Sequence, residues 1–227
     1  MAAAGSGERL GAGGPKAFVP VAGRRMIEWS IDAFQASDSV RSIVVAAPPG
    51  HVGEFGGDGL TVVAGGATRA QSVANALEAV ENGYVAIHDA ARPLLTPELV
   101  EAIVADLDAS PEAAGVIAAA PVTDTIKRAP SRGSFRTDSD RKEPQVLETL
   151  DRRELWGAQT PQLFRTEALR EALAAAERPE EATDEAMLVE LNGGTVLIHP
   201  VEGENLKVTT PLDLRAAELV LQSRNNT

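Results

Sequence analysis

Five glycines, an arginine and a lysine crowd the first sixteen residues, MAAAGSGERLGAGGPK. Gly5, Gly7, Gly11, Gly13 and Gly14 let a backbone turn its N–H groups toward an anion without side-chain obstruction. Arg9 adds a planar fork of donors and Lys16 a compact charge. Such a combination suits phosphate. It is not the P-loop pattern, because Pro15 precedes Lys16 and Ala17 follows it. It is not a dinucleotide fingerprint either, because the third glycine is misplaced. By composition alone the stretch also reads as a flexible N-terminal segment.

Three further places hold residues that could do chemistry. In HDAARP, Asp89 follows an apolar run, a common position for a metal ligand or hydroxyl acceptor; an Asp89–Arg92 pair capping the next helix fits equally well. His88 reads as a packed or turn histidine, and His51, His88 and His199 lie too far apart in sequence for a metal motif. GGATRAQS sets Gly65 and Gly66 before Thr68, Arg69 and Ser72 at a helix start, suited to a base edge or phosphate, or simply to a capped helix. Thr183 suits an N-cap for the segment beginning Asp184–Glu185, and Lys207 in a strand-like run suits a solvated edge.

These residues need a scaffold, and the chain alternates strand-like and helix-like segments. Apolar runs at 42–48, 60–66, 84–93, 114–122 and 194–201 read as strands, the first as one buried on both faces. Between them, Val73, Ala76, Leu77 and Val80 recur at helical spacing, as do Leu99, Ile103, Val104 and Leu107. Thr96–Pro97 and Thr210–Pro211 read as helix starts. Such alternation predicts an α/β, doubly wound and mostly parallel sheet, with ligands at the carboxyl ends of the strands. Gly5, Gly65, Gly66 and Asp89 all fall at such ends. The polar stretch 129–144 breaks the pattern, and its length points to function, disorder or an interaction arm.

Composition narrows the classes. At 227 residues and 44% hydrophobic content the chain can bury the core of one domain. A net charge of −12 opposes nucleic acid as a partner, and 4% aromatic content opposes a base-stacking surface. No apolar run suits a bilayer span and no signal pattern opens the chain. The absence of cysteine removes thiolate chemistry and fits a cytoplasmic protein.

Taken in order, AAGSGERLGAGGPK, GGATRAQSV, HDAARP, PVTDTIK, QTPQLF, TDEA and ENLKVTTPLDL resemble the successive motifs of the 2-C-methyl-D-erythritol 4-phosphate cytidylyltransferase family, from Ala3 to about Leu214. The first motif marks the wider sugar-nucleotide transferase fold, and HDAARP followed by DTIK and QTPQ is far more specific. The resemblance implies one nucleotidyltransferase domain over 1–227, of Rossmann-like fold. It implies CMP transfer from CTP to methylerythritol phosphate, with pyrophosphate released and Mg²⁺ or another divalent cation as cofactor. Arg9, Lys16 and Lys207 would serve the transition state. Ser6 and Gly7 would hold the triphosphate with Gly5, while Ala3, Ala4, Gly66 and Ser72 read the cytosine. Asp89 would accept from the ribose or the substrate near the metal. Arg92, Thr125, Arg152, Thr160 and Thr183 would bind the acceptor phosphate. A dimer is implied, with residues 123–155 as the arm laid on its partner. Alternative readings are a cytidylyltransferase for another polyol phosphate, such as ribitol 5-phosphate, and a CTP-binding protein without activity.

The chain departs from the family pattern in places. The family's first strand has several apolar residues before the AAG turn, where only Met1 and Ala2 stand, so that strand is expected to be truncated and the sheet weakened. The crossover through 49–59 is short and glycine-rich, TDSDRKEP lengthens the arm, and Glu204 stands where an aspartate in a slightly longer loop is usual.

Overall fold

The computed structural model describes residues 1–5, 14–48, 50–54, 59–81, 83–130 and 145–225. After the opening segment, β1 (Pro20–Val21) and β2 (Arg24–Arg25) form a two-residue hairpin. Both turn residues have positive φ, 48° at Ala22 and 82° at Gly23, as the right-handed strand twist requires. Then follow α1 (Met26–Gln35), β3 (Ile43–Ala47), β4 (Leu60–Ala64), α2 (Arg69–Leu77), β5 (Tyr84–Ile87), α3 (Pro97–Asp108) and β6 (Gly115–Pro121). The second half holds β7 (Lys127–Arg128), β8 (Glu148–Thr149), β9 (Trp156–Arg165), α4 (Thr166–Ala175), α5 (Glu185–Leu191), β10 (Val196–Pro200) and α6 (Pro211–Asn225).

The predicted alternation is present, together with one long strand, β9, and four two-residue strands, β1, β2, β7 and β8, that the sequence does not predict. β10, β6, β9 and β5 are neighbours in that order, and β3 pairs with β4. The β10–β6 and β3–β4 pairs are parallel, whereas β9 runs antiparallel to both β5 and β6. Residues 1–3 join the two sets. Ala2 bridges Ala46 on one side and Asp89 on the other, both in parallel sense. Ala2 N–H donates to the His88 carbonyl (2.9 Å) and Ala90 N–H to the Ala2 carbonyl (3.2 Å). Ala3 N–H donates to the Ala46 carbonyl (3.1 Å) and Ala46 N–H to the Met1 carbonyl (3.0 Å). So the short opening segment occupies the position expected of a first strand. On the far side of Met1, between β3 and β5, lies a cavity of about 260 Å³ lined by side chains that include Phe34, Val44, Val73, Val85 and Leu163.

Helices cover both faces of this sheet. Ile27, Ile31 and Phe34 of α1 pack with Ile43, Val45 and Ala47 of β3, and Ile103 and Leu107 of α3 with Val116, Ala118 and Leu163. On the other face Val73 and Leu77 of α2, Leu169 of α4 and Leu188 of α5 pack with Val85, Ile87, Ile117 and Phe164. Alternate residues of β6 and β9 thus serve opposite layers, the signature of a sheet buried on both sides. Each fully buried Leu, Ile or Phe contributes about 1.5–3 kcal/mol of transfer free energy. Gly115 lies where β9 presses closest: a Cβ there would sit 2.3 Å from Phe164 Cδ1.

Helix starts follow from capping chemistry. Thr96 accepts from Leu99 N–H with Pro97 at the first position, and the Thr210 hydroxyl accepts from Asp213 N–H (3.2 Å) ahead of α6. At α5 the cap is Asp184, whose carboxylate accepts from Met187 N–H (3.0 Å), and not Thr183. α6 continues to Asn225, through most of the tail. β7 and β8 pair across the base of the 129–144 stretch, with Leu147 exposed beside them.

Candidate functional site

The loops at the carboxyl ends of β4 and β5, with the opening segment and the 207–209 stretch, surround a cavity of about 500 Å³. Ala3, Ala4, Gly5, Lys16, Gly66, Ser72, Asp89 and Lys207 all line it, together with Arg69 and Thr209. Four distant parts of the sequence therefore meet at one crevice. Ser6, Gly7 and Arg9 fall outside the described residues. The two ends of their loop are tied together, since Lys16 N–H donates to the Gly5 carbonyl (3.0 Å).

The Gly65–Gly66 turn closes tightly on itself. Ser72 Oγ accepts from Gly66 N–H (3.0 Å) and donates to the Thr68 carbonyl (2.9 Å), so its hydroxyl holds the turn against α2. A Cβ on Gly65 would lie 2.6 Å from Ala4 Cβ, and one on Gly66 would lie 2.3 Å from Gln71 Cβ. Glycine is required at both by close approach.

Three of the residues lining the cavity, Arg69, Asp89 and Lys207, join the buried Glu185 behind them in a network of four charges. Arg69 Nη1, at the start of α2, donates to both oxygens of Glu185 at 2.5 and 2.6 Å. Its Nε and Nη2 reach Asp89 Oδ1 at 3.3 and 3.2 Å, while Lys207 Nζ donates to Asp89 Oδ2 at 2.6 Å. Glu185 is the first residue of α5 and is 1% exposed. Burial pushes its carboxyl above the usual range, against the pull of Arg69. Burial alone would raise the Asp89 carboxyl too, but Arg69 and Lys207 outweigh it and hold Asp89 at about 2. Asp89 is therefore a fixed negative charge at neutral pH.

Behind this network runs a chain of buried polar groups. Asp89 N–H donates to Thr160 Oγ1 (3.1 Å), and Thr160 Oγ1 lies 3.1 Å from His88 Nδ1. The Thr160 hydroxyl has one proton, so it donates to Nδ1, leaving the Nε2 proton for the Arg92 carbonyl at 3.2 Å. That geometry fixes a neutral imidazole. His88 is fully buried, and burial depresses it to about 3. It is the packed histidine the sequence suggests. Arg92 turns away from Asp89: Nη1 donates to the Asn205 carbonyl (2.6 Å), and Asn205 Nδ2 donates to Gln159 Oε1 and the Thr160 carbonyl, both at 2.9 Å. These bonds tie the 203–207 segment, which forms no strand, to β9 and so aim Lys207 at the crevice.

The remaining expected residues lie outside the cavity. Thr160 and Arg92 are buried in the chain just described. Thr125, Arg152 and Thr183 are exposed, with Arg152 Nη1 donating to the Thr123 carbonyl (2.5 Å) and Thr183 Oγ1 to Met187 Sδ (3.8 Å). Glu185, Asn205 and Thr209 were not singled out from sequence. An acidic residue opening a helix reads as a solvated dipole partner, and only its burial reveals Glu185 as part of the site.

The family model of 2-C-methyl-D-erythritol 4-phosphate cytidylyltransferase matches residues 1–223. The chain belongs to that family. The resemblance read from the motifs is thereby borne out. The cytidylyltransferase of a Synechococcus strain is 39% identical over 233 residues, covering 99% of this chain and 97% of that relative. A bifunctional IspD/IspF enzyme of Anaeromyxobacter dehalogenans is 40% identical over 230 residues, 98% of this chain. This chain spans 56% of that relative's length, and 56% of a second bifunctional enzyme from the same genus. The crystal structure of the cytidylyltransferase from Thermus thermophilus superposes with a TM-score of 0.75 at 33% identity, covering 97% of each chain. The mixed α/β sheet flanked by helices is the fold of this family. Among the described residues no helix is long and apolar enough to cross a membrane.

Proposed function

We propose that this chain transfers CMP from CTP to 2-C-methyl-D-erythritol 4-phosphate and releases pyrophosphate, a step of isoprenoid biosynthesis. The family match over residues 1–223 carries the reading, and the meeting of Lys16, Lys207 and Asp89 in one cavity supports it. A phosphate oxygen of the acceptor attacks the α-phosphorus of CTP. The new O–P bond forms as the bond to the β-bridging oxygen breaks, and that electron pair leaves with pyrophosphate. Charge builds on the α-phosphoryl oxygens and the leaving group, so positioned cations do most of the work. Lys16 and Lys207, with Arg9, stabilise that charge. Backbone groups of Gly5, Ser6 and Gly7 hold the triphosphate. Ala3, Ala4 and Gly66 read the cytosine edge, and Ser72 holds the shape of that edge.

Asp89 is the group suited to a divalent cation, Mg²⁺ by preference. Among the described residues no cluster of three histidines or acids could hold a metal. One carboxylate beside a phosphate site fits a cation taken mainly by substrate oxygens. Asp89 would hold such a cation, which would supply charge to neutralise the phosphates. Arg152, Thr125 and Thr183 contact the acceptor from the surface, while Arg92 and Thr160 shape the site from behind. The exposed Val146 and Leu147 at the base of the arm support a homodimer in which residues 123–155 of each copy cover the other. A chain without cysteine suits the cytoplasm.

The test is pyrophosphate release measured with each nucleoside triphosphate and each acceptor. CTP with methylerythritol phosphate should give the highest kcat/KM. Faster turnover of ribitol 5-phosphate would reassign the acceptor, and CTP binding with no release from any acceptor would overturn the enzymatic reading.

A further inference from the structure

Arg69 is shared unequally between two carboxylates. Its contacts to Glu185 are short, 2.5 and 2.6 Å, and those to Asp89 Oδ1 are long, 3.3 and 3.2 Å. Glu185 is far more enclosed, with its side chain 2% exposed against 11% for Asp89. Burying a carboxylate is costly, and the start of a helix offsets only part of that cost. A buried acid kept at such a position should change something nearby. Here the four charges sum to zero with Glu185 present. Without its charge, Asp89 alone would face two cations, Arg69 and Lys207.

We propose that Glu185 is a positioning residue that draws the Arg69 guanidinium away from Asp89 and so keeps Asp89 Oδ1 available to a divalent cation. The inference rests on the cytidylyltransferase reading for its purpose, though not for its geometry. Arg69 acts as a gate of fixed charge. Anchored on Glu185 it holds Asp89 Oδ1 at the long distances of 3.3 and 3.2 Å; released, it moves closer to Asp89 and competes with the cation. Lys207, which holds only Oδ2, is untouched by this exchange.

The experiment measures Mn²⁺ affinity directly, by the loss of the free Mn²⁺ spin signal on titration with protein and α,β-methylene-CTP. Glu185→Gln, nearly isosteric, should weaken Mn²⁺ binding by about tenfold or more, and the half-saturating Mg²⁺ concentration for turnover should rise in parallel. Removing the competitor as well, in Glu185→Gln/Arg69→Gln, should restore Mn²⁺ affinity to within about threefold of wild type, the coupling expected of residues in contact. A purely structural role predicts no such rescue. An unchanged Mn²⁺ affinity in a folded Glu185→Gln, or a double variant no better than the single, overturns the proposal. If either variant fails to fold, the wild-type crystal structure with Mn²⁺ and α,β-methylene-CTP decides: Mn²⁺ on Asp89 with Arg69 still on Glu185 supports it, and Mn²⁺ elsewhere, or an Arg69–Glu185 pair broken by the metal, overturns it. A wild-type protein that makes no pyrophosphate from methylerythritol phosphate would sink the functional reading while leaving these Mn²⁺ comparisons intact.

Discussion

His88 should make this protein sensitive to mild acid, and the size of the effect follows from its burial. The imidazole is fully enclosed, accepts at Nδ1 from Thr160 and donates from Nε2 to the Arg92 carbonyl. A second proton would place a donor against the hydroxyl that now donates to it. Folding lowers its pKa from 6.5 to about 3. The sign follows from proton uptake. Below pH 6.5 the unfolded chain gains a proton that the folded chain refuses, so stability falls as pH drops through that window. At about pH 5 the loss is about 2 kcal/mol, and at about pH 3 about 4 kcal/mol. This is a large share of the 5–15 kcal/mol typical of a domain. The comparison is with His88→Gln, which keeps a donor for the Arg92 carbonyl but does not titrate. Urea unfolding of both proteins, followed by circular dichroism, gives the stability difference at each pH. Wild type should lose about 2 kcal/mol more than the variant between about pH 7.5 and about pH 5. Asp89 does not confuse the result, because its own window lies lower, between its ordinary 3.8 and about 2. Curves that stay parallel to within about 0.5 kcal/mol would mean that His88 is protonated when folded, and the tautomer argument would fall.

Lys16→Ala should lower kcat by about a thousandfold or more with the thermal midpoint nearly unmoved, because in the proposed reaction its charge serves the transition state; a loss under about tenfold would remove it from that role. Gly115→Ala forces a methyl into the Phe164 ring. It should cost about 1–3 kcal/mol of stability by denaturant melt with KM for CTP unchanged, and full stability would mean that β6 and β9 separate easily. Leu147→Asp at the base of the arm should shift sedimentation from dimer toward monomer and reduce kcat/KM for the acceptor more than CTP affinity. A variant still wholly dimeric would place the interface elsewhere.

The scaffold was legible where one rule acted alone. Thr96–Pro97 and Thr210–Pro211 start helices because cap and proline chemistry are local. The crevice could be placed because Gly65, Gly66 and Asp89 close apolar runs. β9 escaped because it changes character midway: Trp156–Gln159 are partly or fully exposed and Thr160–Phe164 buried, so neither alternation nor a long apolar run marks it. Lys207 looked like an edge-strand residue, yet its segment is held by Asn205 and Arg92, a long-range contact no spacing predicts. The Thr183 cap lost to Asp184 by one position because a carboxylate at that site reaches Met187 N–H. Glu185 and Arg69 illustrate the general limit. In sequence an acidic residue at a helix start looks solvated and Arg69 suits a phosphate, a base edge or a capped helix; only the fold makes the two partners.

The narrow join made by residues 1–3 bears on how the molecule opens. Among the described residues, the backbone hydrogen bonds linking β3–β4 to the other, four-stranded set all run through this segment. The amides of Ala2, Ala3, Ala46 and Ala90 should therefore exchange their hydrogens with solvent as one unit, ahead of the amides within β6 and β9. The crevice straddles the same seam, with Gly66 on one side and Asp89 on the other. A nucleotide gripping both walls would act as a staple across it. Bound ligand should then slow exchange at Ala46, deep in the sheet, by mass action on the closed form rather than by touching it.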